Sequence, residues 1–430
     1  MHQINNTIVY LFRPNLIASA ISLLLITFSV SATEHNLKAS AVPDSQWWWL
    51  APQTPSLTVE VSDSTGAACD ADLRIVITTD NYAPVSEESR HVTIAAGDTA
   101  RLQVDPVVTA PGFYRLSVSD GDKRLLDMNF GYEPENIVSL PDSQPDFDQF
   151  WADALEELAA VEPDYTLEKV DSMCGEKRNV YLASMKSLGG DTISGYIAIP
   201  VKEGKYPVHI IYNGYGVDPW CVGADDAPDW IHFIPFARGQ GYGKKYNKYG
   251  DWVAYGIASP ETYYYRGAFM DVVRAIDFIY QLPQADRDNI FAEGGSQGGA
   301  FTLVSAALDD RVAAIAPYIP FLSDFPDYFN IVHWPAEPVK KAAAEAGISD
   351  TDMYKTLSYF DMKNMARRIK CPVLMGVGLQ DPVCPPHTNF SGYNLINSPK
   401  EFIIYRDLGH TVDYDDWNPR IRAFFERNRR

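Results

Sequence analysis

The sequence runs to 430 residues, more than one ordinary domain holds, and its 46% hydrophobic and 21% charged content is that of a globular protein able to bury a large core. Its 36 basic and 56 acidic side chains leave a formal charge of −20. Such a surface excludes nucleic acid and anionic membranes as natural partners and leaves neutral ligands open.

The chain begins with a targeting pattern. His2 and Arg13 flank the start, residues 16–30 are apolar, and Val30-Ser31-Ala32 supplies the small residues that a signal peptidase reads. The run falls short of the about 20 apolar residues that a spanning helix needs. Residues 1–32 are therefore expected to be a cleaved signal peptide, with an uncleaved anchor as the alternative. No later stretch is long and apolar enough to span a bilayer. The expected product is exported, periplasmic or secreted, with no membrane attachment after cleavage. Export permits disulfides, but Cys69, Cys174, Cys221, Cys371 and Cys384 contain no CxxC pair, and their spacing chooses no pairing. Buried small hydrophobes are the simpler reading of most of them.

A polar linker is expected over 33–55, including Trp47-Trp48-Trp49, either packed between domains or available for stacking on a ligand. From Leu57-Thr58-Val59-Glu60-Val61 onward, apolar and polar residues alternate. The same period recurs at 73–77, 92–94, 102–104 and 114–118, with turn residues such as Thr65-Gly66, Asp80-Asn81 and Pro111-Gly112 between them. Short strands at this spacing predict a small all-β, immunoglobulin-like sandwich over 56–133. No polar constellation in it suggests chemistry.

Beyond a Pro-containing connector, an amphipathic helix is predicted from Phe147 through Ala160. Strands and helices then alternate. Strands are predicted at 208–212, 233–237, 289–292, 312–316, 372–376 and 401–405. The apolar residues Phe269, Val272, Val273, Ile276 and Ile279 mark a helix within 262–280. Alternating β and α units predict a mostly parallel sheet covered on both faces. A long helical stretch over about 324–369 interrupts the alternation and is read as an inserted cap within an α/β domain spanning 141–430.

Gly294-x-Ser296-x-Gly298 follows the strand at 289–292 and precedes a helix. A serine on a tight strand-to-helix turn, between residues without side chains, is the nucleophile elbow of the α/β-hydrolase fold. The pattern alone arises by chance in about one chain in seven at ordinary Gly and Ser usage, so its context carries the weight. An alcohol needs a base to attack at neutral pH. In this fold an acid and then a histidine follow the serine in chain order. His410 lies in the loop past the last strand, and Asp381 ends the strand-loop before it; these complete a triad with Ser296. His333 falls in the cap. His387 shares the loop of the acid and is read as a surface or supporting residue. Oxyanion donors are expected from the backbone N–H groups of Gln297 and Tyr215, the latter in Asn213-Gly214-Tyr215-Gly216 after an earlier strand. Gly239-x-Gly241-x-Gly243 lacks the GxGxxG spacing of a dinucleotide loop. No cofactor and no metal are expected, so chelators should leave activity unchanged.

These residues resemble carbohydrate esterase family seven, the acetyl xylan esterases and cephalosporin-C deacetylases. The resemblance runs from about Pro145 to the C-terminus. It rests on Phe147-Asp148 through Trp151, Arg238-Gly239-Gln240, Thr262-Tyr263-Tyr264-Tyr265-Arg266, Gly294-Gly295-Ser296-Gln297-Gly298-Gly299, Thr356-Leu357-Ser358-Tyr359-Phe360-Asp361 and Asp381-x-x-Cys384-Pro385-Pro386. It implies deacetylation of acetylated sugars, xylo-oligosaccharides or another small acetyl ester through an acyl-serine, with the same triad and oxyanion donors. Arg238 and Gln240 would be structural more than catalytic. Two departures stand out. The family's catalytic His is usually followed by Glu, and here by Thr411. The family forms ring-like hexamers from single-domain chains, and a preceding sandwich would obstruct that ring, which leaves a homo-oligomer open. The competing readings are a prolyl-oligopeptidase-type peptidase, disfavoured because its propeller is much longer than the sandwich here, and a carbohydrate-binding protein with an inactive hydrolase domain, disfavoured by the intact triad. Since no candidate catalytic residue precedes Pro141, a chain starting there is expected to keep catalysis on a small ester.

Overall fold

The computed structural model describes residues 35–42, 47–223 and 225–430. The expected signal peptide lies outside them. Among the described residues, no helix is long and apolar enough to cross a membrane.

The N-terminal part is built from β1 (Leu37–Ala41), β2 (Trp48–Trp49), β3 (Leu57–Asp63), β4 (Cys69–Thr79), β5 (Pro84–Ile94), β6 (Thr99–Val104), β7 (Gly112–Asp120) and β8 (Lys123–Tyr132). These form a three-stranded sheet, β1-β3-β6, and a five-stranded sheet, β2-β8-β7-β4-β5. The period-two pattern places Leu57, Val59 and Val61 of one sheet in the same apolar cluster as Leu73, Ile75, Ile77, Leu116 and Val118 of the other. The expected linker over 33–55 is corrected here. Leu37 to Ala41 pair with β3, and Trp48 and Trp49 pair with β8. Trp47 and Trp49 are 0% and 7% exposed, so they fill the core of this domain and are not free to stack on a ligand. The bulk of two indoles stabilises more when buried than a solvated linker allows.

The C-terminal part opens with α1 (Phe147–Ala159) and holds one nine-stranded sheet. Its strands are β9 (Thr166–Lys169), β10 (Arg178–Lys186), β11 (Thr192–Pro200), β12 (Tyr206–Tyr212), β13 (Ile231–Phe236), β14 (Ala285–Gly295), β15 (Val312–Tyr318), β16 (Val373–Gly378) and β17 (Lys400–Tyr405). The order is β17-β16-β15-β14-β12-β13-β11-β10-β9. The six strands from β13 to β17 in that order are parallel, and β11, β10 and β9 extend the sheet in antiparallel fashion. Helices α2 (Tyr264–Gln281) and α3 (Gln297–Ala307) cover one face. The expected helical insertion follows β15 as α4 (Phe325–Ile331), α5 (Ala336–Glu345), α6 (Asp350–Ser358) and α7 (Met362–Met365). After β16 comes α8 (Pro386–Tyr393), and α9 (Tyr414–Arg427) closes the chain on the opposite face, where Trp417, Ile421, Phe424 and Phe425 pack on Phe291, Ala314 and Ala316. This is the α/β-hydrolase architecture. Strand order reverses at β12, with β13 on one side and β14 on the other, which is where open sheets of this kind build their sites.

The two parts share one core. Phe113 and Phe130 cluster with Met375, Val377, Leu379, Phe390, Tyr393 and Ile404, and the Phe113 and Phe390 rings lie 5.7 Å apart. Polar contacts tie the same seam. The Asn129 backbone N–H donates to Gln380 Oε1 at 2.7 Å, Asn129 Nδ2 donates to the Leu379 carbonyl at 3.0 Å, and Gln380 Nε2 donates back to the Asn129 carbonyl at 3.1 Å. Gln380 immediately precedes Asp381, so β8 grips the loop that bears the candidate acid.

His387 forms a second tie. It is half-buried, its side chain 19% exposed, and it takes the supporting role of the two expected. It pairs with Asp80 of the β-domain at 2.9 Å and with Asp327 of α4 at 3.4 Å. Burial opposes the imidazolium, but the two carboxylates outweigh it and push the His387 pKa up to about 10. A raised folded pKa means that this contribution is fully present below an unfolded value near about 6.5 and is lost as pH rises through the folded value. The melting temperature is therefore expected to fall between neutral pH and pH about 10, a range set by these two pKa values. That part of the fall should be missing in His387→Gln. Parallel pH dependence of the two melting curves would show that His387 does not provide the linkage.

Candidate active site

The elbow is built by contacts that only glycine tolerates. Ser296 sits between β14 and α3 with φ 57° and ψ −121°, a strained conformation for a side-chain-bearing residue. A Cβ on Gly298 would lie 2.1 Å from the Tyr212 carbonyl oxygen, and one on Gly294 would lie 2.6 Å from the same atom. The elbow thus folds back directly on the end of β12. The Ser296 N–H donates to the Tyr318 carbonyl at 3.1 Å, and its carbonyl accepts from Phe321 and Ala300 at 3.0 and 3.1 Å. These bonds hold the strained residue in place.

Asp381 and His410 meet across the ends of β16 and β17. His410 Nδ1 lies 2.8 Å from Asp381 Oδ2, with the carboxylate fully buried and the imidazole 28% exposed. Asp381 Oδ1 accepts the N–H groups of Val383 and Cys384 at 2.8 and 2.9 Å. One carboxylate therefore caps its own Asp-Pro turn and also engages the imidazole. Gly378 permits the approach, since a Cβ there would lie 2.0 Å from the Gly409 carbonyl oxygen. His333, with its side chain 96% exposed, stands apart in the cap.

The Ser296 hydroxyl approaches the buried Cys384 thiol, whose pKa burial pushes well up, so a neutral thiol lies beside the serine. Among the described residues, no hydrogen bond joins the Ser296 hydroxyl to His410, and neither the Tyr215 nor the Gln297 backbone N–H has a partner. Unbonded N–H groups of this kind are what an oxyanion needs.

The structural role that the resemblance implies for Gln240 takes its form from contacts that only the fold makes. Its Oε1 accepts from the Gly216 N–H at 3.2 Å and from Gln297 Nε2 at 3.0 Å, while its Nε2 donates to Gln297 Oε1 at 3.1 Å. One buried amide thus fixes the loop bearing Tyr215 relative to the elbow bearing Gln297. Arg238 holds this turn from behind. Its Nε and Nη2 donate to the two oxygens of Asp271 at 3.0 and 2.7 Å, and Nη1 donates to Asp191 at 3.1 Å.

A row of rings runs from the Tyr215 loop into the cap. Tyr215 meets Trp334 at 5.5 Å, Trp334 stacks on Phe321 at 5.7 Å, and Phe321 meets Tyr328 at 5.8 Å. Tyr328 also reaches the Val383 carbonyl at 2.8 Å. All five cysteines are unpaired thiols.

Residues 131–425 match the acetyl xylan esterase (AXE1) family. The chain belongs to that family. Its fold and its class, a carboxylic ester hydrolase, follow from this membership. Acetyl esterase Axe7A of Xylanibacter ruminicola is 31% identical over 308 residues, covering 68% of this chain and 70% of that protein. The acetyl xylan esterase from Paenibacillus sp. R4 superposes with a TM-score of 0.64 at 28% identity, over 69% of this chain and 98% of its own. Acetyl xylan esterase 1 from Thermoanaerobacterium sp. JW/SL YS485 gives 0.63 at 27% identity, over 68% and 97%. The family match begins at the end of β8, so most of the N-terminal β-domain lies outside it.

Proposed function

We propose that this chain is an exported serine esterase that removes acetyl groups from acetylated sugars or xylo-oligosaccharides, with Ser296 as nucleophile, His410 as base and Asp381 as the acid that orients it. The reading rests on one observation above others. The His410–Asp381 pair is held at the carboxyl end of the same sheet as an elbow serine with two unbonded N–H groups beside it. Ser296 Oγ attacks the acetyl carbonyl carbon while His410 Nε2 takes the hydroxyl proton. The carbonyl oxygen becomes an oxyanion that accepts from the Tyr215 and Gln297 N–H groups. The sugar oxygen leaves with the proton from His410, and acetyl-Ser296 remains. Water, deprotonated by His410, then releases acetate and restores the serine. Asp381 keeps Nδ1 protonated, so that Nε2 is the basic nitrogen.

The ring row from Tyr215 to Tyr328 supports an acyl pocket closed to long chains. A fitting methylene contributes about 0.8 kcal/mol when buried, so a roomy pocket favours longer esters. A closed pocket displaces the carbonyl instead, and about 1 Å of misplacement costs roughly a hundredfold in rate. With one leaving group, kcat/KM is expected to fall by roughly that factor from acetyl to butyryl esters. Equal hydrolysis of both would replace the acetyl-esterase reading with a general carboxylesterase. Acetate release from acetylated xylo-oligosaccharide, measured beside cleavage of a proline-containing peptide, separates the proposal from the peptidase alternative.

A further inference from the structure

The connection from β12 to β13, residues 213–230, contains no helix among its described residues. Parallel crossovers ordinarily lay a helix over the sheet. Here that connection on one side and α9 on the other bound a groove of about 480 Å³. Its floor is polar where a helix-covered face would be apolar. His209 of β12, His232 of β13 and Glu293 of β14 all line it. His209 Nε2 and Glu293 Oε1 stand 3.6 Å apart, with the two side chains only 11% and 12% exposed. His209 Nε2 and Glu293 Oε2 are buried without a hydrogen-bond partner among the described residues. Buried polar atoms in native proteins are nearly always satisfied, so this pair points to a polar ligand.

The walls are aromatic and reach the catalytic end of the sheet. Trp220 and Tyr414, 38% and 49% exposed, stand at the mouth. Trp220 Nε1 donates at 2.6 Å to Oδ1 of Asn213, in the loop that carries Tyr215. Tyr318, whose carbonyl receives the Ser296 N–H, forms the wall between groove and elbow, and its hydroxyl lies 3.4 Å from that of Tyr414. Along α9 the lining runs from Tyr414 to Phe425. At 1.5 Å per residue that is about 16 Å, the length of several sugar rings.

We propose that this groove is the subsite for the neutral glycan chain that carries the acetyl group, with pyranose rings against Trp220 and Tyr414 and ring hydroxyls bonded to His209 and Glu293. It rests on the esterase reading above. A sugar presents apolar C–H faces to aromatic rings and hydroxyls that both donate and accept, so it satisfies an imidazole and a carboxylate together. A cation is disfavoured by Arg422 and by Arg178, which donates to His232 at 2.7 Å, and burial with these neighbouring cations holds His232 well below its usual pKa. An anion is opposed by Glu293.

The test uses the full chain carrying Ser296→Ala, to block turnover, titrated calorimetrically with xylohexaose. Saturable binding is expected, weakened at least about tenfold by adding Glu293→Ala or, at the exposed mouth, Tyr414→Ala, since each removes one hydrogen-bonding or stacking partner. In the chain with Ser296 intact, the ratio of kcat/KM for acetylated xylo-oligosaccharide to that for 4-nitrophenyl acetate should fall by a similar factor with either substitution. No binding by the parent, or unchanged affinity in both variants, overturns the groove as a glycan subsite. A dimer that Tyr414→Ala dissociates also overturns it, because a second copy then covers this face. If the unmodified chain hydrolyses no acetyl ester while xylohexaose still binds through Glu293 and Tyr414, the esterase reading fails and the glycan groove stands.

Discussion

Replacing Ser296 with Ala is expected to abolish acetate release while leaving the fold intact. Triad members act as a unit, and loss of the nucleophile in such enzymes costs on the order of 10⁶ in kcat. The side chain contributes little to packing, because the elbow is held by the backbone bonds of Ser296 to Tyr318, Phe321 and Ala300. Alanine in place of serine keeps those bonds, so circular dichroism and the melting temperature should match the parent. Acetate release at the parent rate would remove Ser296 from the mechanism. Residual turnover some 10³ to 10⁴ above water is compatible with the mechanism, since binding and the two oxyanion donors remain.

Removal of the N-terminal β-domain is expected to cost stability and with it most of the activity, contrary to what the position of the catalytic residues alone suggests. A chain beginning at Pro141 would uncover Met375, Val377, Leu379, Phe390, Tyr393 and Ile404, all buried in the shared cluster. At about 1.5–3 kcal/mol per large apolar side chain, that exposure is on the order of 10 kcal/mol as an upper bound, comparable to the whole stability of a domain. The same cut removes Asn129 and leaves the Gln380 side chain, beside Asp381, with the Arg406 carbonyl alone as partner. The truncated chain is expected to aggregate, or to lose cooperative unfolding and most of its activity on 4-nitrophenyl acetate. A soluble truncated chain with the kcat/KM of the full chain would show that the seam contributes nothing to the site. The subtler Gln380→Ala variant should lower kcat more than it raises KM, because it loosens the acid-bearing loop and not the substrate contacts.

Much of the candidate site was legible in the sequence because its parts are local. Gly294-Gly295-Ser296-Gln297-Gly298 announces a turn too tight for side chains, and the observed contacts of Gly294 and Gly298 with the Tyr212 carbonyl are that turn made physical. Asp381 and His410 were reachable because each follows an apolar run that ends at the same edge of a parallel sheet. The β-rich character of residues 57–118 was legible from period two. The strands at Leu37–Ala41 and Trp48–Trp49 were not, since five and two residues are too few to display a period. The antiparallel strands β9 and β10 escaped because they mix polar and apolar residues and show no apolar run. Strand β11 does carry one, Tyr196-Ile197-Ala198-Ile199, so it was legible in the sequence.

By itself, then, the sequence determined the hydrolase core, the chain order of Ser296, Asp381 and His410, and the helical insertion before β16, all properties of segments a few residues long. Only the tertiary structure decided what joins distant segments. It placed Gln240 between the two loops bearing the oxyanion donors, Asn129 against the residue before Asp381, His387 between Asp80 and Asp327, and His209 beside Glu293 in a groove that no helix covers. Each of these pairs is separated by tens to hundreds of residues. Local propensity and periodicity describe one segment at a time, and such contacts arise only when the packing of two segments excludes water from both.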